Sequence, residues 1–244
     1  MRAYLILEYD GTAYAGWQRQ KNGVSVQQKV EEALQSVLGK AVKVTASGRT
    51  DAGVHAAAQT VHLDYDGRIP PERLSYALNA VLPDDVSVKK SGAAADDFHA
   101  RYSAKKKTYR YTFVISDVRR PLHERYAARI SGNVDAAAMH RAAQLFVGEH
   151  DFKAFCSTGS SVKTTVRTVY RADVVRVADT VTFTVTGNGF LYNMVRIMAG
   201  TLLAVGQGKQ GEADIAAALR TGERKRAGKT LPAAGLTLES VEYA

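Results

Sequence analysis

Residues Val166–Thr186 read VRTVYRADVVRVADTVTFTVT. Two runs rich in valine and threonine, Val166 to Val177 and Val181 to Thr186, flank a turn at Ala178–Asp179. β-branched residues suit a pleated surface, and a short turn between two such runs makes them antiparallel neighbours. Strands joined in this way need none of the long crossover connections of a parallel sheet.

The pattern extends in both directions. Lys107 to Ile115 alternates, with Tyr109, Tyr111, Phe113 and Ile115 on one face. Gln59 to Tyr65 sets Val61, Leu63 and Tyr65 against Thr60, His62 and Asp64. Arg2 to Tyr9, Val42 to Ala46 and Thr237 to Tyr243 read as further strands. Ser25 to Leu38 has helical spacing, with Val26, Val30, Ala33, Leu34, Val37 and Leu38 on one side. Ser25 and Gln28 have capping-box spacing, and Gly39 supplies a stop. Pro71–Val81, Asp135–Val147, Leu191–Val205 and Glu212–Leu219 complete the predicted helices. This irregular alternation predicts an α+β fold with mostly antiparallel sheet. Composition shifts over Ser91–Lys107, SGAAADDFHARYSAKKK, which predicts a crossing between two subdomains, 1–103 and 104–244.

Bulk properties narrow the function. No stretch reaches the roughly 18 unbroken apolar residues of a membrane span, because Arg196 interrupts the longest candidate. MRAYLILEYD lacks a signal-peptide cleavage site. Cys156 is the only cysteine, so no internal disulfide is possible, and the six histidines form no metal-binding spacing. These features predict a cytoplasmic protein without a structural metal. Lys and Arg total 33 against 24 Asp and Glu, a net charge of +9, which favours a polyanionic partner. GxxxxGK[ST] is absent, so the chain has no phosphate cradle of that kind.

Three segments can carry chemistry. GRTDAGVHA, Gly48–Ala56, places Arg49 and Asp51 two residues apart between glycines; a cation there suits phosphate or a base edge. A solvated turn has the same composition. RYSAKKKTYRYTF, Arg101–Phe113, interleaves aromatics with cations, as base stacking and phosphate contact require; an amphipathic strand with solvated lysines has the same pattern. GNGFLYNMVRIMAG, Gly187–Gly200, sets Arg196 among apolar residues, where it either snorkels to solvent or meets a carboxylate such as Asp51 and keeps it ionised. His55 reads as structural, with RNA contact or orientation of the backbone as the alternative, His150 as a helix-end residue rather than a base, and Cys156 as structural or incidental rather than a nucleophile. RTGERKRAGK, Arg220–Lys229, reads as a solvated basic run with an RNA contact as the alternative.

Taken in order, YDGTAYAGWQRQ (Tyr9–Gln20), SVQQKVEEAL (Ser25–Leu34), SGRTDAGVHA (Ser47–Ala56), LNAVLPDDV (Leu78–Val86), FHARYSAKKKTYRY (Phe98–Tyr111), GEHDF (Gly148–Phe152), GNGFLYNMVRIMAG and PAAGLTLESVEY (Pro232–Tyr243) resemble the tRNA pseudouridine synthase I family over nearly the whole chain. The resemblance implies two α+β subdomains with a basic cleft between them, a homodimer, tRNA as partner, no cofactor, and isomerisation of uridines 38, 39 and 40 of the anticodon stem-loop. It implies that Asp51 is the catalytic aspartate and that Arg49 helps flip the target uridine and fills its place in the stack. It further implies that Tyr109 lies against the uracil, Arg196 pairs with the aspartate and Leu236 lines the uracil pocket. PAAGL departs from the family's frequent paired-proline version, a change that bears on the back of the pocket. Two rival readings stand beside it. A non-catalytic RNA-binding protein would leave Asp51 a repulsive group near phosphate. A glycosidase-like hydrolase would need a second carboxylate, for which Asp84, Asp85, Asp96 and Asp97 are available in turn-like segments.

Overall fold

A computed structural model describes residues 1–159 and 162–243. In chain order the elements are β1 (Arg2–Tyr9), α1 (Val26–Leu38), β2 (Thr45–Ala46), β3 (His55–Asp64), α2 (Leu74–Asn79), β4 (Val86–Ala93), β5 (Ala104–Ile115), β6 (Ala128–Ile130), α3 (Ala136–Ala143), β7 (Gly148–Asp151), β8 (Val166–Val177), β9 (Thr180–Gly187), α4 (Met194–Gly206), α5 (Glu212–Thr221) and β10 (Leu236–Tyr243). The fold class is α+β, with most strand pairs antiparallel. Among the described residues no helix is long and apolar enough to cross a membrane. The chain forms two compact units, one of Met1–Lys105 with the stretch from Thr237 onward, the other of Lys106–Leu236.

In the first unit the strand order is β4-β1-β3-β10, with β2 also on β3. β1 runs antiparallel to β3 from Arg2 opposite Asp64 to Tyr9 opposite Ala56. β10 runs parallel to β3, with Thr237 opposite His55. Helix α1 begins where its sequence says: Ser25 caps it by accepting the Gln28 N–H, and Gly39 closes it at φ 72°. Its face of Val26, Val30, Ala33 and Leu34 is buried. β3 is chemically alternating but buried on both faces, since Thr60 and His62 are covered as well as Val61 and Leu63. His62 Nδ1 accepts the Ala100 N–H at 3.1 Å, and Tyr243 OH donates to Ala100 O at 2.8 Å, so the buried His62 ring is tied to the Ala100 segment.

Two expectations for this unit change. Val42–Ala46 is strand only at Thr45–Ala46. Upstream, the Val44 backbone bonds to helix side chains instead of a strand, accepting from Gln27 Nε2 at 3.3 Å and donating to Glu31 Oε1 at 3.4 Å. β4 was absent from the sequence reading. Its register against β1 shifts between Ile6 and Leu7, so adjacent Lys89 and Lys90 are both exposed and the period-2 signal breaks.

In the second unit the order is β5-β9-β8-β7, with β6 parallel to β5. The hairpin read from Val166–Thr186 is present: β8 and β9 pair from Val169 opposite Gly187 to Val177 opposite Thr180, and Ala178 turns at φ 52°. Helices α3 and α4 start later than the periodicity suggests, at Ala136 and Met194. His150 is not at a helix end. A 3-10 turn, Gln144–Phe146, ends the helical run, Gly148 turns the chain at φ 113°, and His150 sits in β7 opposite Arg167. Phe146, Phe152 and Phe155 form a buried aromatic cluster beside it, with rings 5.1 to 6.4 Å apart.

Candidate active site

The GRTDAGVHA loop lies in the first unit between β2 and β3, and several backbone groups around Asp51 are held. Ser47 N–H donates to Thr60 O at 2.8 Å, and Ser47 Oγ donates to Gln59 Oε1 at 2.5 Å. The same Gln59 amide donates to Gly48 O at 2.8 Å. Thr50 O accepts the Trp17 N–H at 3.0 Å, and Thr50 Oγ1 lies 2.7 Å from Tyr9 OH. Asp51 O accepts the Val54 N–H at 3.1 Å, and Gly53, at φ 75°, donates to Tyr14 O at 3.3 Å.

The YDGTAYAGWQ segment thus packs backbone against backbone on this loop, and two glycines allow it. A Cβ on Gly11 would stand 2.0 Å from Val54 O. Gly16, at φ 94°, would place one 2.7 Å from Thr50 O. No other side chain leaves room there. Gly11 N–H also donates to His55 Nδ1 at 3.0 Å, with Asp10 Oδ1 3.1 Å from the same nitrogen, so His55 is a buried structural histidine. Behind the segment, Tyr14 OH donates to Asp85 Oδ1 at 2.5 Å while Asp85 O accepts the Asp10 N–H at 2.9 Å. Asp85, read from sequence as a solvated turn acid, is a brace. Burial pushes the Tyr9 phenol up, against hydrogen bonds from Thr50 and Gln59. Burial and then the Asp85 carboxylate do the same for Tyr14. Both phenols remain protonated.

On this fixed frame burial alternates: Arg49 is exposed, Thr50 buried, Asp51 half-buried. The cation and the carboxylate thus stand on either side of a buried anchor, Thr50, on one held backbone.

The second unit holds the other three predicted site residues. Tyr109 on β5 is almost buried, its ring edge-on to Phe190 at 5.2 Å. Two residues on, Tyr111 is fully buried and donates to Pro232 O at 2.8 Å. Burial pushes its phenol up, against the nearby Arg196 charge. Arg196, on the first turn of α4, is half-buried and does not simply snorkel. Its Nε donates to Leu231 O at 2.7 Å and its Nη1 to Asn193 Oδ1 at 2.6 Å. Gly235 lies against the Tyr111 ring, where a Cβ would come within 2.6 Å, and buried Leu236 follows it. Segment Leu231–Leu236 thus gathers the Arg196 head and the Tyr111 hydroxyl, and it ends at Leu236.

The basic tracts divide. In the first unit Tyr102 is exposed, with the His99 ring 4.3 Å from its own and the Arg101 guanidinium over it at 5.8 Å. In the second, Lys106 lies over Tyr170 at 5.5 Å. The run Arg220–Lys229 is less available than its composition suggests. Arg224 donates to Ala227 O and Gly228 O, and Arg226 pairs with Glu223 at 2.8 Å. Sequence reasoning missed the roles of Tyr9, Tyr14, Gln59 and Asp85, which arise from contacts distant in sequence, and that of Asn193, which lies beside Arg196.

Among the described residues no group of three or more His, Cys, Asp or Glu could hold a metal ion. The functional groups of the two units are a carboxylate and an arginine on a rigid loop, and an aromatic wall with a held arginine. The family described as tRNA pseudouridine synthase matches residues 5–103 and 142–244. The tRNA pseudouridine synthase A of Ruminiclostridium cellulolyticum is 46% identical over 240 residues, covering 98% of this chain and 98% of its own. That of Syntrophotalea carbinolica is 48% identical over 240 residues, covering 98% and 95%. A chain in the solved "Structure of H/ACA RNP bound to a substrate RNA containing 2'-deoxyuridine" aligns with 84% of this chain at 14% identity and a TM-score of 0.42; this chain spans 44% of it. With the family match on both sides of residues 104–141 and relatives aligned almost end to end, this chain belongs to the tRNA pseudouridine synthase family.

Proposed function

We propose that this enzyme converts uridine to pseudouridine at positions 38, 39 and 40 of the tRNA anticodon stem-loop, with Asp51 acting on the flipped-out nucleotide and no cofactor taking part. The observation that carries this reading is the alternation at 49–51: an exposed arginine and a half-buried carboxylate on a backbone bonded at Gly48, Thr50 and Asp51. A solvated turn has no need of such bracing, whereas a reacting carboxylate must be held in place.

The reaction breaks the N1–C1′ bond and forms a C5–C1′ bond; C5 gives up a proton and N1 gains one. No electrons are lost and no group leaves, so the chemistry calls for no cofactor. The nucleotide must first leave the stack, at a cost of about a few kcal/mol. Arg49 lowers that cost by occupying the vacated place while its charge holds phosphate. Asp51 then attacks C1′, or removes a ribose proton to form a glycal, and both routes need one ionised carboxylate near C1′. Tyr109 confines the detached uracil as it turns, Leu236 lines its pocket, and Arg196 supplies the counter-charge to the carboxylate. The enzyme works on tRNA as a homodimer in the cytoplasm.

The test is a tRNA transcript incubated with wild type and with Asp51→Ala, no cofactor added, with pseudouridine mapped by carbodiimide labelling and primer extension. Stops in the anticodon stem with wild type alone support the reading. Stops with both proteins remove Asp51 from the chemistry. Retained tRNA binding with no stops from either leaves a non-catalytic RNA-binding protein, and released uracil means a hydrolase.

A further inference from the structure

We propose that Asn193 is a positioning residue for the isomerisation, fixing the plane of the Arg196 guanidinium; this rests on the counter-charge role given to Arg196 above. Asn193 stands immediately before α4 at φ 60° and ψ 7°, in the left-handed region that favours glycine. At a helix N-terminus an asparagine ordinarily caps, its side-chain oxygen accepting a backbone N–H of the first turn. Here it makes no such bond.

Both ends of its amide are used elsewhere. Oδ1 accepts from Arg196 Nη1 at 2.6 Å, and Nδ2 donates to Ser157 Oγ at 3.0 Å. Residues three apart lie on one face of a helix, so the amide reaches the guanidinium directly. Ser157 is itself tied to the same turn, its N–H donating to Tyr192 O at 3.1 Å. At the other edge, Arg196 Nε donates to Leu231 O at 2.7 Å.

A guanidinium held at one nitrogen can still swing about its last bonds. Held at Nε and at Nη1 by partners from different segments, its plane is set. A strained backbone that forgoes its own cap in order to orient an arginine is the combination expected of a group kept for function. Removing the amide takes away the Nη1 bond and leaves the Leu231 bond and the positive charge in place.

Glycine makes the test clean, because at φ 60° it relieves the backbone while removing the amide. Asn193→Gly, Ser157→Ala, the double variant and Arg196→Ala are compared with wild type for kcat and KM on the tRNA transcript and for melting temperature. The expected result is that Asn193→Gly lowers kcat about ten- to a hundred-fold, with KM and melting temperature unchanged. Ser157→Ala lowers kcat less, and adding it to Asn193→Gly lowers it no further, because both act through one guanidinium. If Arg196→Ala turns over like wild type, the role given to Arg196 fails and the inference falls with it. If Arg196→Ala loses turnover but Asn193→Gly keeps it, the Arg196 role stands and the positioning inference is overturned. A loss in Asn193→Gly that tracks a fall in melting temperature also overturns it, since that marks a purely structural residue.

Discussion

Tyr9 and Thr50 meet hydroxyl to hydroxyl at 2.7 Å in the interior of the first unit, and Thr50 is the residue between Arg49 and Asp51. The buried hydroxyl fixes the middle position of the three, between exposed Arg49 and half-buried Asp51. The pair behaves as an anchor whose removal is felt by Arg49 and Asp51.

Tyr9→Phe and Thr50→Val each remove one partner of a buried hydrogen bond. Each should lower the unfolding free energy by about 1–2 kcal/mol and reduce tRNA turnover. Together they should lower it by less than the sum, since the double variant leaves neither of these two hydroxyls facing an apolar group. Denaturant titration of the four proteins measures the coupling. Strict additivity would mean that the two hydroxyls do not depend on each other.

The glycines of the two loops are expected to differ from an ordinary capping glycine. Gly39 closes α1 at φ 72° with nothing within 4 Å of an added Cβ, so Gly39→Ala carries only the left-handed backbone penalty, about 1 kcal/mol. Gly11→Ala would place a methyl 2.0 Å from Val54 O, next to His55, and the backbone of the Asp51 loop must move. That should destabilise by more than about 3 kcal/mol and abolish turnover. Similar melting temperatures for the two variants would show that the segments at Gly11 and Val54 are not held as closely as 2.0 Å implies.

His62 gives the first unit an acid-sensitive element distinct from its carboxylates. Burial chiefly holds its pKa below the ordinary histidine value of about 6.5, with the neighbouring His99 and Arg2 charges adding and Asp64 opposing. The ring lies 4.7 Å from His99, and its Nδ1 accepts the Ala100 N–H, a bond that protonation there breaks. Below about 6.5 the unfolded chain binds the proton first, so stability is full above that pH and declines as pH falls toward the lower folded value. Asp64, held low by its hydrogen bond from Arg2, loses its contribution only further down, in the carboxylate range. His62→Gln should be less stable at pH 7 yet flatter between pH 7 and 5. An unchanged slope in that window would remove His62 as its source.

What could be read in advance followed from how local each determinant was. The β8–β9 hairpin needs only valine-rich runs and a turn, and α1 carries its own cap at Ser25 and stop at Gly39. β4 was hidden because a bulge against β1 exposes two consecutive lysines, and Val42–Val44 misled because the Val44 backbone bonds to Gln27 and Glu31, not to a strand. For the site, the order of the motifs pointed to the family, and the composition of 48–56 marked a cation and a carboxylate held between glycines. The bracing was invisible: Tyr14 and Asp85 are 71 residues apart, and nothing in either segment announces their hydrogen bond. The helix read over Leu191–Val205 takes in Asn193 and gives no sign of its backbone angle or its Arg196 contact.

Arg49 separates binding from catalysis. It is exposed, so Arg49→Ala should leave the unfolding midpoint within about 0.5 kcal/mol of wild type. If its work is phosphate contact alone, the variant binds tRNA more weakly, the slope of log affinity against log salt shrinks by about one, and turnover at saturating tRNA is untouched. If it also fills the place of the flipped uridine, the flipped state is less populated even in the bound complex. Turnover at saturating tRNA then falls, by about ten-fold for each 1.4 kcal/mol of flipping cost no longer offset. Arg49→Lys keeps the charge but lacks the flat guanidinium face that stacks on a base. It should therefore recover the salt slope and not the turnover. Single-turnover rates and salt titrations on the three proteins read both quantities, and full turnover in Arg49→Ala at saturation would confine the residue to phosphate contact.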